Sequence, residues 1–150
     1  GGRETVRSYG IKKKRYNELT MKELQAELHE LVPGKHRKFL AEMEDIIVAG
    51  DYVFVHAGIN PKHSLEDQKQ SGLLWIRERF LKHREPFSHV VVHGHTIFED
   101  IEHTDYRIGI DTGAFRTGKL TALVLEGDQR RLIQTQDIDG TIAVTHKEFA

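Results

Sequence analysis

The chain has 150 residues, with 22 lysines and arginines against 23 aspartates and glutamates and a formal net charge of −1 with histidine neutral. That length suits one domain spanning 1–150 with a single core, and the balanced charge gives no footprint for a nucleic-acid or membrane partner. No cysteine is present, which excludes disulfides and thiolate metal sites and suits a reducing, cytoplasmic compartment, and no apolar run reaches the ~18 residues of a membrane span.

Residues 1–18 show neither helical nor strand period and read as a polar lead-in, with Lys12-Lys13-Lys14-Arg15 as a solvated loop. Thr20 and Glu23 form a capping box, and Met21, Leu24, Leu28 and Leu31 follow at helical spacing until Pro33-Gly34 stops them. A second helix is predicted from about Lys35 to Glu44, burying Phe39, Leu40 and Met43. The β-rich runs 46–48 and 52–55 flank Ala49-Gly50-Asp51, a hairpin signal. A third helix is predicted within 65–83, carrying Leu73, Leu74, Ile76, Phe80 and Leu81 and ending at Pro86.

Next, 89–92 reads as a short strand buried on both faces. A less clear alternation covers 106–110, then Asp111-Thr112-Gly113-Ala114 turns. A hairpin joins 120–125 to 131–135 around Glu126-Gly127-Asp128, and Asp137-Ile138-Asp139-Gly140 makes a last turn before 141–144. That last turn lacks the glutamate a calcium loop requires. The pattern is α/β.

Ten histidines need mostly ordinary explanations. His29, His36, His63, His83, His103 and His146 have polar flanks and read as surface residues, and Glu66, Asp67 and Glu78 as helical surface acids. His56, His93 and His95 differ. Val53-Phe54-Val55-His56-Ala57-Gly58 and Val90-Val91-Val92-His93-Gly94-His95-Thr96 are apolar runs that end on imidazole and turn on glycine. Such strand ends present nitrogen ligands at a sheet rim, where neutral imidazole suits zinc, manganese, iron or nickel. Gly94, between His93 and His95, is where the backbone can bend. Arg77, in Trp75-Ile76-Arg77-Glu78-Arg79, supplies a guanidinium fork for phosphate oxygens.

The segments 50–58, Leu74-Trp75-Ile76-Arg77-Glu78-Arg79, Gly94-His95-Thr96 and Ile110-Asp111-Thr112-Gly113-Ala114 resemble, in order, blocks of the calcineurin-like metallophosphoesterase superfamily. The likeness is to its short bacterial and phage serine/threonine protein phosphatases. It implies part of a β-sandwich flanked by helices, lacking the N-terminal strands of the full fold. It also implies that His56 and His95 ligate one ion of a two-metal pair (manganese, or iron and zinc) and that Arg77 binds the substrate phosphoryl group. His93 becomes a neighbour of the site, or the metal ligand in place of His95.

The family's Gly-Asp-x-His, Gly-Asp-x-x-Asp-Arg-Gly and Gly-Asn-His-Glu blocks do not occur in the sequence. The resemblance therefore implies the C-terminal portion of an enzyme, with no catalytic acid or base of its own, at most weak metal binding and negligible turnover alone. Its substrate would be a phosphoprotein or other phosphoester, and an open sheet edge could support a homodimer. Two alternatives stand beside this reading. One is a symmetrical dinucleoside tetraphosphate hydrolase of the same superfamily; the other is a non-catalytic, truncated binding module.

Overall fold

A computed structural model of the chain describes residues 2–149, which form two compact units, 2–44 and 45–149. The first unit is helical: α1 (Gly2–Ser8), α2 (Lys13–Glu18), α3 (Met21–Leu31) and α4 (Gly34–Ala41). The capping box starts α3, with the Glu23 N–H donating to Thr20 Oγ1 at 3.3 Å and the Thr20 N–H donating to Glu23 Oε2 at 2.8 Å.

Two expectations fail in this unit. The lead-in is helical rather than irregular, and neither α1 nor α2 buries a residue, so neither had an apolar face for periodicity to reveal. Phe39, Leu40 and Met43 are more than half exposed rather than buried. Among the described residues of this unit, Ile11 and Leu24 are the buried apolar side chains, as expected of a helical unit too short to enclose a core of its own.

The second unit is mixed α/β. Its elements are β1 (Ile46–Ala49), β2 (Tyr52–Val55), α5 (Gln70–Trp75), α6 (Glu78–Leu81), β3 (Val90–His93), β4 (Glu102–Thr104), β5 (Arg107–Gly109), α7 (Ala114–Thr117), β6 (Leu120–Glu126), β7 (Gln129–Ile138) and β8 (Thr141–Glu148). A mixed five-stranded sheet has the order β1-β2-β3-β5-β4, and β6-β7-β8 form a three-stranded antiparallel sheet. The β1–β2 hairpin turns at Gly50, whose φ of +57° suits glycine.

Strands β2, β3 and β5 run parallel, and Val55 is the register partner of His93. The chain reaches β3 from β2 through α5 and α6, which cover the sheet. Their core gathers Val55, Ile59, Leu73, Phe80 and Val91, with Ile46, Leu65, Ile76, Leu81 and Phe87 packed on it. Phe80 is fully buried, and a Cβ at position 58 would collide with its ring, so Gly58 is required where the chain leaves β2.

The single helix predicted within 65–83 is two short helices. Arg77 breaks them with φ −136° and ψ −100°, outside the helical region, and its guanidinium reaches the β3 turn instead. Strand β4 escaped notice because Glu102-His103-Thr104 is polar. Its place is fixed by the ion pair between Glu102 and the buried Arg107, whose Nε donates to Glu102 Oε2 at 3.0 Å.

A polar seam joins the two sheets. The hydroxyls of Thr112 and Thr121 lie 2.8 Å apart, and Gln134 Nε2 donates to Thr121 Oγ1 at 2.9 Å and to Asp100 Oδ1 at 3.2 Å. Farther along, Arg130 Nε donates to the Tyr52 hydroxyl at 3.0 Å. Among the described residues no helix is long and apolar enough to cross a membrane.

Candidate metal and phosphate site

Three parallel strands end at one edge of the five-stranded sheet. His56 follows β2, Gly94 and His95 follow β3, and Asp111 lies two residues beyond β5. The carboxyl edge of parallel strands is where α/β sheets place ligands, because the chain leaves each strand there in a loop free to carry chemistry. The tips are tied together: the Gly94 N–H donates to His56 O at 2.8 Å, and the Ile110 N–H donates to His93 O at 2.9 Å.

The backbone separates the two β3 histidines. His93 is the last strand residue and is almost wholly buried, its ring edge-on to Phe80 at 4.9 Å and to Phe98 at 6.5 Å. Its Nδ1 donates to Gly94 O at 3.2 Å, which leaves Nε2 as a lone pair without a partner among the aromatic rings. Burial pushes the His93 pKa below its ordinary value, so the ring stays neutral.

After Gly94 the chain reverses. The Thr96 N–H donates to Gly94 O at 2.7 Å, closing a three-residue turn around His95 at φ +63°. A non-glycine residue in that left-handed region costs on the order of 1–3 kcal/mol. The strain turns the His95 ring out of the core and toward His56.

The two rings lie 5.1 Å apart between centroids, tilted by 58°. A metal–nitrogen distance of about 2.1 Å places the centroids of two imidazoles on one ion about 5 Å apart, so the spacing fits a shared ion. His95 Nε2 is buried and has no hydrogen-bond partner, which is the state of a ligand atom awaiting its acceptor. Burial, then the charges of Arg77 and His56, lower the His95 pKa, while Asp111 opposes them; the neutral ring is the form that binds metal.

Arg77 completes the cluster. Its Nη1 donates to His95 O at 3.5 Å and to Thr96 Oγ1 at 3.4 Å, long contacts that leave most of its donors free. The Trp75 ring stands edge-on to His95 at 5.5 Å. The structure thus brings His56, His95 and Arg77 together and turns His93 away.

Asp111 was missed as a site residue. One oxygen accepts the Gly113 N–H at 3.0 Å, and the side chain packs against Gly94. Its signal was available: a third apolar run, Ile108-Gly109-Ile110, ends on a potential ligand and turns on glycine. Even so, no group of three or more His, Asp or Glu side chains gathers to hold a metal among the described residues. Two imidazoles fit part of one ion's shell, and a bridging carboxylate and a second ion's ligands have no counterpart there. Comparison with protein-family models gives no match, and comparison with curated proteins gives none either.

Proposed function

We propose that the chain carries part of the site of a metal-dependent phosphoester hydrolase of the calcineurin-like metallophosphoesterase type, acting on phosphoserine or phosphothreonine. One observation carries the reading: two imidazoles at adjacent parallel strand ends lie at the spacing of shared metal ligands, with a guanidinium beside them. His56 and His95 would hold one divalent ion, manganese or the iron–zinc type. Such an ion polarises phosphoryl oxygens and lowers the pKa of bound water.

The chain's own contribution is binding and orientation. The free face of Arg77 grips two phosphoryl oxygens, and its contact with the His95 turn fixes that grip relative to the imidazoles. The edge of Trp75 buttresses the His95 ring. No step of hydrolysis is assigned to these residues alone, because the carboxylate ligands of a two-metal centre must come from elsewhere. We further propose β1 as the edge through which a second copy could pair, since it ends the sheet with Ile47 and Val48 half exposed.

Zinc titration followed by the ring resonances of the histidines tests the reading. His56 and His95 are expected to shift together and weakly, His93 to stay put, and His56→Ala to abolish the His95 shift. Independent responses of the two rings would overturn it. So would manganese-dependent hydrolysis of p-nitrophenyl phosphate by the chain alone that survives His56→Ala. A non-catalytic binding module is the rival, favoured by the missing third ligand. Zinc-independent phosphate binding at Arg77 with no zinc response at either ring would select it.

A further inference from the structure

Beside Arg77 opens a groove of about 420 Å³, within the range of about 300–1,000 Å³ typical of small-ligand clefts. Its lining includes His63, Lys69, Trp75, Arg77 and Arg79, and no acidic side chain. Lys69, Arg77 and Arg79 are exposed, and none has an ion-pair partner among the described residues. That contrasts with Lys14, Lys38 and Lys82, each paired with a glutamate four residues away. A row of unneutralised cations around an exposed indole is an anion surface that the protein has left unsatisfied.

The loop that lines part of the groove is preformed. Gln68 Oε1 accepts the Asn60 N–H at 2.8 Å, while its Nε2 donates to the carbonyls of Asn60, His63 and Ser64 at 3.0–3.1 Å. One amide thereby holds the loop that carries His63 in a single shape, which lowers the ordering cost of binding.

We propose that this groove binds acidic residues flanking the phosphorylated side chain of a peptide substrate, with Lys69 and Arg79 pairing carboxylates and Trp75 covering the peptide backbone. The inference rests on the preceding reading only in naming a phosphoryl group as the occupant of Arg77. Charge complementarity selects an anion, and openness selects a peptide. Polyphosphates are held by converging backbone N–H groups in glycine-rich nests, whereas this groove offers separate side chains along an open trough.

Trp75 is the sole tryptophan, so its emission reports occupancy directly. The 150-residue chain, kept in EDTA, is titrated with an unphosphorylated peptide of alternating alanine and glutamate, with its glutamine counterpart, and with adenosine tetraphosphate. The glutamate peptide is expected to change the emission saturably and the glutamine peptide to have no effect. The double variant Lys69→Glu/Arg79→Glu should weaken the glutamate peptide by more than about tenfold. Both positions are exposed, and an unchanged circular dichroism spectrum verifies the fold. An unresponsive indole, equal binding of both peptides, or tighter binding of the tetraphosphate would each overturn the proposal. The peptide titration is run in EDTA and the zinc titration without peptide, so the two readings fail separately.

Discussion

The two sheets of the second unit are built on opposite plans. In the five-stranded sheet the strands are three or four residues long, yet Val53, Val91, Val92 and Ile108 are buried. In the meander β6–β8 the strands run to seven, ten and eight residues, but Leu132 and Thr121 are the buried side chains, while Leu120, Ile138, Ile142 and Val144 stay more than half exposed. The first holds strand ends rigidly through non-local packing and places its chemistry there. The second is a chain of local hairpins whose order comes from backbone pairing, and it carries none of the candidate residues.

The contrast breaks most sharply at Phe80. Phe80→Ala should cost about 3–5 kcal/mol, because it empties the core under both strand ends and deprives Gly58 of its neighbour. Urea unfolding measures it, and a loss below about 1 kcal/mol would show that the parallel strands do not depend on this core.

Next comes acid. The folded pKa of His93 is depressed by burial, whereas the unfolded ring titrates near its ordinary value of about 6.5. Below that value the unfolded chain binds a proton that the folded chain refuses. Stability is therefore fully present above it and falls as pH drops toward the folded pKa, by up to about 1.4 kcal/mol per pH unit. Urea midpoints between pH 7.5 and 5, in EDTA, should lose this slope in His93→Leu. An identical slope in the variant would refute the assignment.

His95→Gly relieves the left-handed turn and should raise stability by about 1 kcal/mol while abolishing the coupled zinc shift at His56. A stability loss of that size would mean the turn is unstrained. The smallest effect belongs to the meander, where Ile142→Thr should change stability by no more than about 0.5 kcal/mol. A larger loss would reveal packing there.

The parts of the fold legible in the sequence were those where local chemistry and burial agree. Gly50, Gly127 and the Asp139-Gly140 pair marked real hairpin turns, each at positive φ, and the unbroken valines of β3 marked a strand buried on both faces. Helices α1 and α2 carried no apolar stripe to read. The break at Arg77 was invisible because the residues it meets, His95 and Thr96, lie 18 and 19 residues away in sequence. In the site, His56 and His95 were signalled by their strand-end positions. What separates His93 from His95 is a backbone reversal, and the spacing of residues left that open. Asp111 and Trp75 join the cluster through strand order and helix placement, which spacing alone does not encode.

The seam of Thr112, Thr121, Gln134 and Asp100 has a mechanical corollary. Hydroxyl and amide contacts bury little apolar surface, unlike the aromatic interior around Phe80, so the join between the sheets is the weaker line. The molecule should come apart stepwise, shedding the meander as a loosened flap while the valine strands stay zipped, and amide exchange in β7 should outpace exchange in β3.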